Sequence, residues 1–183
     1  MYRPALLLTA MWLTANVALA QEGVPTATLS ASSKALYHYA QDYVIRAAEK
    51  MPEEHYAFRP TPDVRTFGQI VGHLADAQYL LCAGAYGEKP PVGGIEKGST
   101  TKADLVKALK TAVDYCQRAH DVVAGPKGID MIDGIPGGKH PRVGALYFNS
   151  MHTFEHYGNL ITYLRLKGIV PPSSEPRKTA PEQ

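Results

Sequence analysis

Four segments of this chain repeat apolar residues at the three- and four-residue spacing of an amphipathic helix, and breaks rich in proline and glycine separate them. The predicted helices run from about Ser32 to Lys50, from Thr66 to Ala83, from a cap at residues 99–101 to Val123, and from Val143 to Lys167. No segment shows the pattern of a convincing strand. The sequence therefore predicts an all-α protein, a four-helix bundle.

The two longest breaks, residues 84–100 and 125–142, are rich in glycine and proline and are predicted to be loops. Unstructured connections of this length in a compact domain tend to be functional lids or mobile segments. The second predicted helix has a clear start, because Thr66 and Gln69 have the spacing of a capping box.

The first 20 residues have the pattern of a secretory signal peptide. Arg3 gives a basic start, an apolar run follows, and Ala18-Leu19-Ala20 provides a small-residue cleavage site. Because the apolar run is shorter than the ~20 residues of a spanning helix, we predict cleavage after Ala20 rather than a retained membrane anchor. The protein would then be secreted or periplasmic, without a stable membrane span. Residues 21–31 would form a linker, 32–172 the helical domain and 173–183 a disordered tail.

Length and charge indicate a single domain that does not bind nucleic acid. Removal of the first 20 of the 183 residues leaves 163, enough for one domain with its own core. The formal net charge falls from +2 to +1 when Arg3 is removed, and the remaining charges are interspersed, so no basic surface is predicted. The pattern Cys-x-x-Cys-His is absent, which excludes covalent c-type haem.

The last predicted helix carries His152 and His156, four residues apart. The two imidazoles would lie roughly 40° apart on one face and ~6 Å apart along the axis, so both can bind one divalent metal ion. Alternatively, the pair arises by chance on a solvated helix face. His73, on the apolar side of the second helix, is either a further ligand or a core histidine with a hydrogen-bond partner nearby.

The two cysteines are weaker ligand candidates. Cys82 points about 180° away from His73 and lies ~13 Å along the helix axis, so the two residues cannot share a metal ion. Cys116 and His120 are also four residues apart, but spacing alone supports them. The cysteine can be in a disulfide instead, and the histidine near a helix end can face water.

In helical bundles, metal sites form from side chains that facing helices direct inward. His73, His152 and His156 can meet there and bind one divalent metal ion with a coordination position left open. Imidazole ligands suit Zn²⁺, Ni²⁺ and Fe²⁺ alike, so the identity of the metal stays open.

Several polar residues accompany these histidines. Glu155 points ~100° away from His156, which favours a surface carboxylate, or one that hydrogen-bonds a ligand, over a catalytic base. Asp76 either orients an imidazole or faces water. Tyr157, Asn159 and Tyr163 either line the pocket or belong to the core.

Two motifs resemble the DinB-like family, which is named for damage-inducible bacterial proteins. The first runs from Arg59 to Asp76 and includes Thr66-Phe67-Gly68-Gln69-Ile70-Val71-Gly72-His73-Leu74. The second runs from His152 to Pro172 and includes Tyr163-Leu164-Arg165 and Gly168-Ile169-Val170-Pro171-Pro172. The resemblance covers about residues 32–173, nearly all of the chain that follows the signal peptide.

This resemblance implies a homodimeric four-helix bundle in up-down-down-up order, with residues 84–100 as the long crossover between helices 2 and 3. It also implies a three-histidine metal site at His73, His152 and His156. In that topology Cys82 and Cys116 lie toward the same ends of parallel neighbours, which allows a disulfide; two free thiols are the alternative.

Two classes of function follow. The first is an exported metal-dependent hydrolase or thiol transferase that acts on an unknown small molecule, since some members of the family are thiol transferases or isomerases. The second is a non-catalytic bundle that binds a metal or another ligand, for instance a haem held between His73 and a histidine of the last helix.

Overall fold

The computed structural model describes residues 26–176. These residues form five α-helices: α1 Thr26–Lys50, α2 Phe67–Tyr86, the short α3 Ile95–Gly98, α4 Lys102–Val123 and α5 Arg142–Leu166. Two strands, β1 Met131–Ile135 and β2 Gly138–Pro141, pair antiparallel. The described chain is therefore mostly helical, as predicted, and the predicted signal peptide lies outside it. None of the helices between residues 26 and 176 has both the length and the apolar character needed to cross a membrane.

The first helix begins earlier than predicted. α1 starts at Thr26, within the segment predicted to be a linker (residues 21–31). One contact of its first turns is a hydrogen bond of 2.6 Å from Ser30 Oγ to the carbonyl of His120 in α4. Because this partner lies 90 residues away in sequence, the local pattern around residue 30 does not reveal it.

The capping box predicted at the start of α2 is confirmed. The backbone N–H of Gln69 donates to Thr66 Oγ1 at 3.2 Å, and the backbone N–H of Thr66 donates to the Gln69 side chain at 2.8 Å. At the other end, Gly87 adopts φ 81° and its N–H donates to the carbonyl of Ala83. α2 therefore runs three residues beyond its predicted end, whereas α4 and α5 keep their predicted bounds to within one residue.

The prediction that the chain contains no strand is wrong for residues 131–141, where β1 and β2 form a hairpin. The tight reversal depends on three glycines with positive φ: 96° at Gly134, 94° at Gly137 and 110° at Gly138. Residues other than glycine rarely adopt these values. The strands are short and contain glycine and proline, so they lack the alternation by which a strand is predicted.

Pairwise contacts define how the long helices lie against one another. α2 and α4 meet near their starts, where a Cβ on Gly68 would lie 3.2 Å from the Leu105 side chain. They meet again near their ends, where Cys82 and Cys116 form a disulfide with Cα atoms 5.2 Å apart, a normal separation for this bond. α5 packs on α1 and α2. The largest fully buried apolar side chains include Tyr37, Phe67, Leu74, Leu109, Leu160 and Leu164.

A buried polar cluster of four residues, Tyr37, Gln78, Asn149 and Thr153, joins α1, α2 and α5. The Gln78 side-chain oxygen accepts from Asn149 at 2.7 Å and from the Tyr37 hydroxyl at 3.1 Å, and its Nε2 donates to Thr153 Oγ1 at 3.3 Å. Asn149 Nδ2 also lies 3.1 Å from the sulfur of Cys116. Because a buried amide that loses its partner costs ~1–3 kcal/mol, the cluster fixes the rotation of α5 about its own axis.

The predicted disordered tail is ordered at its beginning. The backbone N–H of Ser173 donates to the Tyr157 hydroxyl at 2.9 Å, and the Glu175 carboxylate pairs with Arg46 and Lys50 of α1. Together these contacts hold the segment after α5 against both α5 and α1. Residues 177–183 of the predicted tail lie outside the described residues.

His120 is buried, so it does not face water, which the sequence had left as an alternative to metal binding. Its side chain is 1% exposed, its ring centroid lies 5.0 Å from that of Tyr37, and neither ring nitrogen has a hydrogen-bond partner among the described residues. The early start of α1 explains the difference, because Ser30 lies against the end of α4. Burial, aided by the positive charge of Lys34, lowers the pKa of His120 to about 4.

This pKa predicts how stability depends on pH. Below the ordinary value of 6.5 the unfolded chain binds a proton at His120, whereas the native protein does not until about pH 4. The contribution to stability is therefore complete above pH 6.5 and is lost as the pH falls toward 4. We expect His120→Leu to reduce this loss by on the order of 1–3 kcal/mol, as measured by urea unfolding of the metal-free protein at neutral pH and at about pH 4.5.

The matched control is His55→Leu, the same change at a half-buried site in the turn that follows α1. Identical pH profiles for His120→Leu and the wild type would show that His120 is accessible to protons in the native state.

Candidate metal centre

Three histidines from two facing helices direct their Nε2 atoms at one another. His152 Nε2 lies 3.2 Å from His73 Nε2 and 3.0 Å from His156 Nε2, and one ligand atom from each residue fits within a mutual distance of 4.8 Å. His152 and His156 are one turn apart on α5, and His73 lies on α2. The three residues predicted from the sequence therefore form one histidine cluster, which could hold a metal ion.

The separations within the histidine cluster fit a small divalent cation. Three imidazole nitrogens bound tetrahedrally to Zn²⁺ at ~2.0–2.1 Å would lie about 3.3 Å from one another. The observed separations of 3.0 and 3.2 Å are close to that value. The ligand atoms of the third pair, His73 and His156, lie within 4.8 Å of each other.

Burial keeps two of these histidines in the form that binds a metal. Burial, with smaller effects of the neighbouring His152 and His73, lowers the pKa of His156 to about 4. Burial and the proximity of His73 also lower the pKa of His152. A metal ion binds neutral imidazole, so at neutral pH neither residue has to lose a proton before it can act as a ligand.

A carboxylate that the sequence analysis missed orients His73. Glu96 Oε2 lies 3.1 Å from His73 Nδ1, and Glu96 Oε1 accepts from Arg65 Nε at 2.8 Å. Burial alone would raise the pKa of Glu96, but the bond and charge of Arg65, with His73, outweigh it and lower the pKa. Because an ionised carboxylate can only accept, His73 carries its proton on Nδ1 and presents the lone pair of Nε2 to the histidine cluster.

The short helix α3 brings Glu96 to His73. The Asp76 carboxylate accepts from the backbone N–H groups of Ile95 and Glu96 at 2.9 and 3.0 Å. Asp76 therefore acts on the imidazole only indirectly, by holding α3 in place. Gly72 permits this approach, since a Cβ there would lie 2.7 Å from Glu96 Cα. An isolated glycine inside a helical pattern is the one sequence signal for this close packing, and it does not identify Glu96.

The other candidate residues do not belong to the histidine cluster. Glu155 is exposed on α5, as predicted for a surface carboxylate. Tyr157 and Tyr163 are buried and belong to the core, and Tyr163 and Asn159 also line a cavity beside His156. Asn159 touches the cluster from outside, with Nδ2 3.4 Å from His156 Nδ1. Cys116 is in the disulfide, so the pair that it forms with the neighbouring histidine of α4 is not a ligand set.

Two cavities reach the histidine cluster. A cavity of about 610 Å³ is lined in part by His73 and His152, and a second of about 620 Å³ is lined in part by His156 and Arg65. Glu96 lines both cavities. Their volumes lie within the range of small-molecule sites. A ligand bound in either cavity would contact the histidine cluster.

Removing the charge of Glu96 tests its role. We expect Glu96→Gln to weaken Zn²⁺ binding about 10- to 100-fold, because the neutral amide no longer fixes the proton of His73 on Nδ1. A competition titration against a chelating dye measures the change. Glu155→Gln, an exposed substitution beside His156, is the control and should keep the wild-type affinity. Wild-type affinity in Glu96→Gln would show that Glu96 does not orient the ligand.

The fold and the histidine cluster together define a mostly helical protein with a candidate three-histidine metal centre. The model of the DinB superfamily matches residues 36–160, a range that contains all three histidines, and the chain belongs to this superfamily. No curated protein matches the chain.

A solved structure shares the fold. The crystal structure of a DinB-like protein from Bacillus cereus ATCC 10987 is similar to this chain with a TM-score of 0.64 and 14% sequence identity. The match covers 74% of this chain and 91% of that protein. At this identity the similarity shows the fold and carries no conclusion about activity.

Proposed function

We propose that this DinB-superfamily protein binds one divalent metal ion, Zn²⁺, Ni²⁺ or Fe²⁺, through His73, His152 and His156, and that it is a hydrolase or thiol transferase for a small molecule. The observation that carries the proposal is the convergence of three imidazole nitrogens within 4.8 Å of one another. The helices that supply them are far apart in sequence, with His73 and His152 separated by 79 residues, so the fold itself builds the cluster.

A divalent ion held by three imidazoles keeps a coordination position at which it can lower the pKa of a bound water or thiol or polarise a carbonyl. The protein supplies the surroundings for this chemistry. Glu96 holds His73 in the ligating tautomer, and burial keeps His152 and His156 neutral. The two cavities give a small molecule access to the cluster.

The carboxylates nearest to the histidine cluster are already engaged. Asp76 accepts two backbone hydrogen bonds from α3, and Glu96 bonds both Arg65 and His73. Neither is therefore placed as a general base.

A haem held between His73 and a histidine of α5 is not favoured. The Nε2 atom of His156 lies 3.0 Å from that of His152, so a third imidazole occupies the space that a porphyrin ring between His73 and His152 would need. A metal ion that is bound without catalysis is the remaining alternative, and it is an outcome of the experiment below.

We also propose the up-down-down-up bundle order. The contacts of α2 and α4 join start to start and end to end, which supports parallel neighbours. The Tyr147 hydroxyl, near the start of α5, donates to the carbonyl of Leu29, near the start of α1, at 3.0 Å, which supports parallel α1 and α5. Residues 87–101, with α3 among them, would be the crossover.

Export is proposed on two grounds, the signal-peptide pattern of residues 1–20 and the disulfide, since disulfides persist in oxidising compartments. The protein would then be secreted or periplasmic. The homodimer stays a prediction that rests on the family resemblance.

Elemental analysis of the protein, purified without a histidine tag, tests the metal site. We expect about one equivalent of metal in the wild type and none in His73→Ala, because one ligand of three is lost. Metal in the wild type, but no turnover of ester, amide or thiol substrates, would favour binding without catalysis. Absence of metal from both proteins, even after incubation with Zn²⁺, Ni²⁺ and Fe²⁺, would overturn the proposal.

A further inference from the structure

The cavity of about 610 Å³ beside His73 and His152, called here the apolar cleft, points to the class of ligand. We propose that the apolar cleft binds the hydrocarbon part of a small monoanion whose negatively charged head group reaches the metal centre. This inference rests on the proposed function, because it takes the cation at the histidine cluster as the partner of the head group.

The walls of the apolar cleft come from five parts of the fold: α2, the connection before α3, α3 itself, the hairpin and α5. Their apolar members include Leu80, Leu81, Pro90, Val92, Pro136 and Phe148. Two of these side chains are exposed, Leu80 to 60% and Val92 to 44%. Exposed apolar side chains that gather in one concave site gain stability when a hydrocarbon chain covers them, whereas isolated ones would not form a site.

Charge at the inner end of the apolar cleft favours an anionic head group. Three neutral imidazoles leave the double positive charge of a bound metal ion uncompensated, and the exposed Lys97 lines the same cleft. The two acids of the lining, each with one negative charge, offset this positive charge only in part. Asp76 is bonded to backbone N–H groups of α3, and Glu96 is paired with Arg65 and His73.

Straight-chain carboxylates from acetate to octanoate are suitable probes for the zinc-loaded protein, with binding followed by calorimetry. We expect the affinity to rise about fourfold for each added methylene group until the cleft is filled, since burial of one methylene is worth ~0.8 kcal/mol. Equal affinities for acetate and octanoate would overturn the inference.

Two matched variants assign the hydrocarbon site. Leu80→Asp places a charge in the apolar cleft and should largely remove the dependence on chain length. Leu166→Asp alters a leucine of α5 that is exposed to a similar degree, 57%, and does not line the cleft, so it should behave as the wild type does. An unchanged dependence in Leu80→Asp would place the hydrocarbon chain elsewhere.

A third variant separates this inference from the proposed function. His156 does not line the apolar cleft, so His156→Ala should lose the metal and the affinity for the head group but keep the dependence on chain length. If the wild type binds no metal, straight-chain alcohols replace the carboxylates. Fourfold increments for the alcohols would then support the apolar cleft while the metal proposal fails, and their absence would overturn both.

Discussion

Replacing His152 by alanine is expected to abolish stoichiometric metal binding and to weaken the remaining affinity by more than about 100-fold. Loss of a residue that hydrogen-bonds a metal ligand typically lowers the metal affinity 10- to 100-fold, and loss of the ligand itself should lower it further. His152 is one of three proposed ligands, and its Nε2 lies 3.2 and 3.0 Å from those of His73 and His156. Elemental analysis and competition with a chelating dye measure the change.

His120→Ala provides the contrast, because His120 is buried away from the histidine cluster. It should keep the metal and lower the free energy of unfolding by roughly 1–3 kcal/mol. His152→Ala should instead lose the metal and leave the free energy of unfolding of the metal-free protein nearly unchanged. His38→Ala, on the exposed surface of α1, should change neither quantity. Equal losses of metal in His152→Ala and His120→Ala would move the site to α4 and contradict the proposed ligands.

Removing the disulfide is expected to lower the free energy of unfolding by about 3–4 kcal/mol. This value follows from the loop-closure entropy of a cross-link between residues 34 positions apart. Cys82 and Cys116 are fully buried, so the double variant Cys82→Ala/Cys116→Ala loses some packing in addition. Urea unfolding of the wild type and of the double variant, without reductant, gives the difference.

A reductant separates the cross-link from the packing. Dithiothreitol should bring the wild type close to the double variant and leave the double variant unchanged. If both cysteines of the wild type react with a thiol label after unfolding under non-reducing conditions, the disulfide is absent in solution and the expected loss disappears with it.

The helices and the cluster of three histidines could be predicted because their causes are local. Apolar periodicity defines α2, α4 and α5, and the capping box marks the start of α2. The proximity of His152 and His156 on α5 follows from the helical repeat alone. His73 joins them because it lies in the apolar stripe of a helix that must face the core. The resemblance to the DinB-like family added the bundle order and the match of all three histidines.

The parts that sequence reasoning missed depend on contacts between distant segments. Glu96 lies in a break without periodicity, and it becomes a partner of His73 only because Gly72 and Asp76 hold α3 against α2. The position of His120 near a helix end allowed exposure to water, but the first turns of α1 cover it. The hairpin of residues 131–141 depends on glycine conformations that also occur in loops.

The buried polar cluster of Tyr37, Gln78, Asn149 and Thr153 has a consequence for the order of maturation. Because it sets the rotation of α5 through bonds between protein groups alone, the histidines of α5 face α2 before any ion arrives. If the proposed metal site is correct, loading with metal would then be a late and reversible step, and a correctly folded metal-free pool would exist. Zinc fingers have no such pool, because their metal supplies the free energy of folding.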